Sequence, residues 1–204
     1  MELKNINSFL KVFAKLYHKG EKTLLAFSGG ADSTALFYLL LAYQKQDPQF
    51  YFEVFHLNHH LRGEDAKKDA LWVSRLCSRF NIVCHLKEVS LVLEAQKLKL
   101  SLEEAGRNIR YDFLKTIQKQ QNLESITTAH HKSDNIETLL MRLFTGGGLL
   151  ALGGMRNQEK DKRRPLLSFF KEELLSFLKV NSLSYQEDDT NKINNVPRNQ
   201  IRNV

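Results

Sequence analysis

The sequence predicts an α/β fold, a doubly wound parallel sheet with a short helical C-terminal extension. Three observations carry this. Four short apolar runs alternate with segments whose apolar residues recur at helical spacing, at intervals of roughly thirty residues, the length of a βαβ unit. The first run stops at Ser28-Gly29-Gly30-Ala31-Asp32-Ser33, which reads as a tight turn from a strand into a helix. Side chains able to do chemistry collect just after strands, in Ser28–Ser33, His56–Arg62 and His130–Glu137, where an open parallel sheet holds its ligands. Such alternation argues for parallel strands joined by right-handed crossovers.

In order, residues 1–20 read as a short helix, with Phe9, Leu10, Phe13, Leu16 and Tyr17 at helical spacing and Gly20 as its stop. Residues 23–27 are the first strand. From Asp32 to about Gln46 a helix buries Leu36, Leu39, Leu40 and Tyr43, and Asp47-Pro48 is a turn. Residues 50–57 are the second strand, followed by a helix with Ala70, Val73, Leu76, Cys77 and Phe80 on one face. The third strand spans Ile82 to Val89, and 90–100 read as helical. Ser101-Leu102-Glu103-Glu104 is a capping box, with Ser at the cap and Glu three residues on. The helix it opens runs to about Gln120 and is expected to bury Leu102, Ala105, Ile109, Phe113 and Ile117. Ser125–Ala129 is the fourth strand, and the helix after it carries Ile136, Leu139, Leu140 and Leu143. Beyond Phe144 the texture changes to Gly-rich and charged stretches, a helix over about 169–180, and a polar tail. The expected division is therefore 1–150, the main α/β domain, and 151–204, a glycine-rich connector, helix and basic tail.

At 204 residues, 42% apolar and 26% charged, the chain has room for one good core. The net charge of +7 fits a polyanionic partner such as RNA. Cys77 and Cys84 are too few for a disulfide framework and are not spaced as a zinc pair. The first seventeen residues mix Lys and Asn among apolar residues, unlike a signal peptide, and no apolar run approaches the ~20 residues of a membrane span. A cytoplasmic protein with no membrane partner is expected.

The turn at 28–33 is the chemical centre. Glycines let a ligand approach backbone N–H groups closely, and the first turn of a helix leaves N–H groups unpaired and partly positive, so anions settle there. Ser28 and Ser33 add hydroxyls. The Lys of the common nucleotide P-loop is absent; Asp32 stands there instead, and an Asp beside phosphates calls for a cation between them. The bland alternative is a strand–helix turn with a polar cap. If the strand order is 3-2-1-4, strands one and four are neighbours and Asp32 faces Asp134 across one crevice. Two carboxylates that close repel unless a cation joins them, and Mg²⁺ favours a couple of carboxylates plus phosphate oxygens and water. The histidines at 56, 59, 60, 130 and 131 match no zinc spacing.

Ser-Gly-Gly-x-Asp-Ser resembles the pyrophosphate loop of ATP pyrophosphatases, enzymes that split ATP between the α and β phosphates. Further blocks resemble the tRNA(Ile)-lysidine synthetases: His56-x-Asn58-His59-x-Leu61-Arg62, Ser101-x-Glu103-Glu104-Ala105-x-Arg107-x-x-Arg110-Tyr111, Ala129-His130-His131-x-x-Asp134-x-x-Glu137-Thr138, Arg164-Pro165-Leu166-Leu167, Asp188-x-Thr190-Asn191 and Arg198-Asn199-x-Ile201-Arg202. Six blocks in order cover nearly the whole chain. The chain departs from the family at His60, where Gly is usual, at Asn135, where Gln is usual, and at Thr145-Gly146, which replaces an Arg-Gly pair. Family members also continue beyond the last Arg block into tRNA-binding parts, so the resemblance implies that 151–204 is the start of a truncated C-terminal region.

The resemblance implies an adenine-nucleotide alpha-hydrolase-like (PP-loop ATPase) fold and an ATP-dependent ligase that joins L-lysine to C2 of the wobble cytidine of the isoleucine tRNA with CAU anticodon. The base would be adenylated first, with pyrophosphate and then AMP released. Asp32, Asp134 and Arg202 would be catalytic, with Asp32 and Asp134 as Mg²⁺ ligands. ATP would be bound by Ala26, Phe27, Ser28, Gly29, Gly30, Ala31, Asp32, Ser33, Asn58 and Arg62. Lysine would be held by His131, Asp134 and Glu137; Glu137 lies one helical turn from Asp134 on the same face, where a surface salt bridge is the plain alternative. Arg110, Arg198 and Arg202 would meet tRNA phosphates, with solvated arginine as their plain alternative. The oligomeric state is left open, a homodimer included. Rival readings are a tRNA thiolase, disfavoured because Cys77 and Cys84 sit in a helix face and a strand; an amidotransferase-type enzyme, which lacks a visible glutaminase block; and a non-catalytic RNA- or nucleotide-binding module.

Overall fold

The computed structural model describes residues 3–59, 64–144 and 153–186. Helix α1 (Asn7–Leu16) leads into strand β1 (Lys22–Ala26), α2 (Ala31–Gln46), β2 (Tyr51–Asn58), α3 (Glu64–Arg79) and β3 (Cys84–Glu88). Helices α4 (Leu91–Leu98) and α5 (Leu102–Gln120), β4 (Ser125–Thr127) and α6 (Lys132–Phe144) follow, then a hairpin of β5 (Gln158–Glu159) and β6 (Lys162–Arg163), and α7 (Lys171–Val180). The sheet order is β3-β2-β1-β4-β6-β5. The expected 3-2-1-4 core of parallel strands is present, with Leu24 opposite both Glu53 of β2 and Ile126 of β4.

Period-two alternation sends β1 side chains to two layers. Thr23 and Leu25 face a core built from α1, α2, α3 and α7, while Leu24 faces a smaller one under α5 with Phe55, Leu57, Leu114, Ile117 and Ile126. Helix α2 is covered on nearly every side: besides the expected Leu36, Leu39, Leu40 and Tyr43 it buries Ala35, Phe37, Tyr38 and Ala42, as a central helix does. At the sheet edge, β3 is half-buried and ends in charged residues, which discourages edge-to-edge pairing.

Several expectations are corrected. The charged stretch at 159–164 is a hairpin that extends the sheet, β6 parallel to β4 and β5 antiparallel to β6, so the sheet is mostly rather than wholly parallel. Its two-residue strands are too short for a periodicity signal. Beyond residue 150, Leu166, Phe169, Leu174, Phe177 and Leu178 share a core with Phe9 and Phe13. In α5, Leu102 is exposed and Leu114 takes the core position, while Ile109 and Phe113 are half-buried. In α6, Ile136 and Leu143 are exposed and the buried side chain is Glu137. Half of the expected capping box is present: Ser101 Oγ accepts the Glu104 N–H at 3.2 Å. Among the described residues no helix is long and apolar enough to cross a membrane.

Candidate active site

The site forms where β1 and β4 end side by side. Past β1, Phe27 extends the ladder by donating its N–H to Phe55 O (2.9 Å). The chain then turns through Ser28 and Gly29. Gly29 has φ +91°, a region that L side chains rarely adopt, which is the physical reason for glycine there. Gly30 is the N-cap of α2, and no side chain caps that helix. The serines brace the loop from within. Ser28 Oγ and Ser33 Oγ lie 3.0 Å apart, Gly29 N–H donates to Ser33 Oγ (3.2 Å), Gly30 N–H donates to Ser28 Oγ (3.3 Å), and Ser33 Oγ donates to Gly30 O (3.0 Å). The first-turn N–H groups of Ala31, Asp32 and Ser33 lack an intrahelical acceptor by position, so the loop presents donors and the positive end of a sixteen-residue helix.

Past β4, Thr128 donates its N–H to Arg163 O (2.9 Å), and Lys132 N–H to Phe169 O (2.8 Å) anchors the start of α6. His131 and Asp134 cap that helix reciprocally: His131 N–H donates to Asp134 Oδ2 (3.0 Å) and Asp134 N–H to His131 Nδ1 (3.3 Å). Because Nδ1 accepts, the ring proton sits on Nε2. That nitrogen lies 3.6 Å from Asp32 Oδ2 and 3.5 Å from Asp134 Oδ2. One buried imidazole thus stands between the two aspartates that the sequence placed across a crevice. Burial pulls the His131 pKa down, but the bond to Asp32 and the charges of Asp134 and Asp32 outweigh it and hold it above its ordinary value, against Lys171. Among the described residues, Asp32 Oδ1 is buried with no hydrogen-bond partner. An orphaned carboxylate oxygen is costly, and an oxygen ligand aimed beside a phosphate-type cradle is what Mg²⁺ takes. Asp32 therefore fits the role of a cation ligand.

The end of β2 forms the neighbouring wall. His56 is buried, with Nδ1 2.9 Å from Phe27 O. Burial lowers its pKa, against the Phe27 bond and Asp69. His59 is pushed down to about 4 by burial, the Arg110 charge and His56. Asn58 is buried beside them. Arg110, exposed on α5, is thus near enough to His59 to be felt there. Glu137 is 9% exposed and so lies on the covered side of α6. Arg62, Arg198 and Arg202 lie outside the described residues, as do His60, Thr145-Gly146 and the Asp188 and Arg198 blocks. Asn135, one of the departures, accepts the Met155 N–H on Oδ1 (2.6 Å), and a Cβ on Gly154 would come within 2.6 Å of that oxygen. This pins the 153–157 segment to α6.

Sequence reasoning missed three residues at the loop. Gln186 N–H donates to Gly29 O (3.0 Å), and Trp72 and Asp69 of α3 adjoin Gln186. The available signals were that Trp72 is the chain's one tryptophan and that Gln186 immediately precedes the acidic Glu187-Asp188-Asp189 run.

A family model described as the PP-loop domain matches residues 1–204. The chain belongs to the PP-loop family. Among curated proteins it is 34% identical over 187 residues to a tRNA(Ile)-lysidine synthase of Bacteroides thetaiotaomicron, covering 92% of this chain and 43% of that protein. It is 34% identical over 199 residues to the synthase of Petrotoga mobilis, covering 98% of this chain and 63% of that one. A bifunctional TilS/HprT protein of Listeria monocytogenes is 35% identical over 191 residues, covering 92% of this chain and 29% of its own length. The PP-loop chain thus spans less than two thirds of these relatives. In fold it is similar to the U34-tRNA thiolase NcsA of Methanococcus maripaludis, solved with its [4Fe-4S] cluster (TM-score 0.73, 21% identity, 89% of this chain and 66% of that one).

Proposed function

We propose that this chain is the ATP-dependent catalytic part of a tRNA(Ile)-lysidine synthase. The observation that carries the reading is the convergence of Asp32 and Asp134 on one His131 nitrogen beside the uncapped start of α2, with Asp32 Oδ1 left unpaired. The similarity to curated synthases over more than nine tenths of this chain supports the choice of reaction.

In this reading Ser28, Gly29, Gly30 and Ser33 cradle the pyrophosphate of ATP, with the Ala26–Ala31 backbone, Asn58 and Arg62 completing the nucleotide site. Mg²⁺, held by Asp32 and Asp134, would neutralise charge on the phosphate oxygens. The cytidine C2 oxygen attacks the α-phosphate and pyrophosphate leaves, while helix-terminal N–H groups stabilise the charge that builds there. The lysine ε-ammonium gives a proton to Asp134, and the freed amine attacks C2 as AMP leaves. The ammonium docks against Asp134 and Glu137, with His131 holding Asp134 in place. Arg110, Arg198 and Arg202 hold tRNA phosphates, Arg202 also reaching the reacting groups. Residues 1–150 carry most of the catalytic machinery, and 151–204 lead toward further tRNA-binding parts. The soluble partners are ATP, L-lysine and the isoleucine tRNA with CAU anticodon.

The test is direct: incubate the protein with ATP, labelled L-lysine and unmodified isoleucine tRNA. Label should enter the RNA with one AMP formed per lysine, and tRNA affinity should fall steeply with salt, as phosphate-dominated binding does. AMP formation indifferent to both lysine and tRNA would reject the proposal.

A further inference from the structure

The segment that leaves α7 ends against the nucleotide loop. It turns back at Asn181–Leu183, where Leu183 N–H donates to Leu178 O (2.9 Å), and arrives at Gly29 through Gln186 N–H, which donates to Gly29 O at 3.0 Å. That carbonyl also accepts Thr34 Oγ1 at 3.1 Å. Both acceptor positions of Gly29 O are thus taken. The peptide unit is planar, so holding the Gly29 carbonyl also sets the direction of the Gly30 N–H on its other side.

The Gln186 side chain makes a second tether. With the amide turned to the orientation that satisfies both neighbours, its nitrogen donates to Asp69 Oδ1 (3.2 Å) and its oxygen accepts from Trp72 Nε1 (3.3 Å). A Cβ on Gly29 would meet Gln186 Cγ at 3.8 Å and Trp72 Cζ3 at 3.8 Å, so the stem of the glutamine lies over the glycine. Trp72 in turn stacks on Phe27, with centroids 6.3 Å apart and planes 8° from parallel. Gln186 therefore joins the loop, α3 and the end of β1 at one point.

A Gly-Gly pair has little steric preference between two orientations of its central peptide. A loop that must aim N–H groups at phosphate needs something else to choose between them. We infer that Gln186 is a positioning residue for the nucleotide loop, a latch that fixes the Gly29–Gly30 peptide, whose N–H rests on Ser28 Oγ, and thereby sets how the loop presents the unpaired first-turn N–H groups of α2. The inference rests on the ATP reading above. If the latch is loosened, the competent orientation is only part of the population and apparent ATP affinity falls by that fraction. The chemical step, once ATP is bound, keeps its geometry.

Trp72 is the one tryptophan in the chain, so its emission reports on the latch without any turnover. Three variants of the protein would be compared with wild type: Gln186→Ala, Gln186→Glu, and Gln186→Glu combined with Asp69→Asn. Gln186→Ala removes the two side-chain hydrogen bonds, one of them to the Asp69 carboxylate, while the backbone N–H still reaches Gly29 O, and the KM for ATP is expected to rise about three- to tenfold with kcat little changed. Its Trp72 emission should shift to the red, and equilibrium dialysis should show the same loss for Mg-ATP. Gln186→Glu sets a carboxylate against Asp69 and should be worse; adding Asp69→Asn restores a donor there and should recover ATP affinity. Wild-type KM and emission in Gln186→Ala would overturn the latch. So would a parallel fall in kcat and thermal stability in both single variants that Asp69→Asn fails to rescue, because that is a purely structural role. Failure of the wild-type protein itself to bind Mg-ATP would instead strike the nucleotide reading, and the latch with it.

Discussion

Strands β1 and β4 carry a polar cluster at each end, and the two are built on opposite terms. At the N-terminal end Glu21 is fully buried, yet both its oxygens are engaged. Oε1 accepts Ser125 Oγ (2.6 Å) and pairs with Arg163 Nε (3.0 Å), while Oε2 accepts His18 N–H (3.2 Å) and Arg163 Nη2 (3.4 Å). Ser125 Oγ passes on to Thr23 Oγ1 (2.8 Å), which meets Thr127 Oγ1 (2.8 Å), which meets the Tyr17 hydroxyl (2.8 Å). At the C-terminal end two carboxylates crowd one imidazole and a buried oxygen of Asp32 has no partner. The first cluster pairs a buried carboxylate with a buried guanidinium, Arg163 Nε resting at ion-pair distance without a hydrogen bond among the described residues, and it holds β1, β4 and the β5–β6 hairpin together. The second is left incomplete, as a site is when a ligand is to complete it.

The sharpest way to break this contrast is to remove charge at the incomplete end. Asp32→Asn or Asp134→Ala should lower lysine- and tRNA-dependent AMP formation by about a thousandfold or more. For Asp32→Asn, whose side chain is partly exposed, the urea midpoint should stay within about 1 kcal/mol of wild type. Near-normal turnover in either variant would remove the cation-ligand assignment. The converse holds at the paired end. Glu21→Gln leaves the buried Arg163 guanidinium uncompensated and should cost about 3 kcal/mol of stability, read from urea unfolding, with AMP formation unchanged where the protein is still folded. A variant as stable as wild type would show that the buried pair holds nothing.

The smallest effect is a pH dependence at the end of β2. His59, at about 4, and His56, also lowered, take up protons less readily folded than unfolded, where the ordinary value is 6.5. Below that value protons favour the unfolded chain. Their contribution to stability is complete above 6.5 and shrinks as pH falls toward 4. Urea midpoints over that range should decline less steeply for His59→Gln than for wild type; equal slopes would mean that His59 is not the neutral, buried group described.

Much of this was legible in the chain. The apolar alternation, the Gly29-Gly30 turn and the Ser101 cap are local signals, each set by residues within a few positions of one another. The misreadings also have local causes. Leu102 and Ile136 fit a helical stripe, but which stripe meets the core depends on how the helix is rolled against the sheet, and in α6 that roll buries Glu137 instead. The β5–β6 hairpin has strands of two residues, too short to show alternation.

By itself the sequence determined the strand–helix rhythm and a glycine-lined helix start with an aspartate in place of a lysine, because backbone preference and side-chain periodicity act over a single turn. Only the tertiary structure decided that His131 stands between Asp32 and Asp134, that an oxygen of Asp32 goes without a partner, and that Gln186 holds the Gly29 carbonyl. Those contacts join residues far apart in the chain. They follow from strand order and from the packing of α7 beneath the sheet, which no short stretch of residues encodes.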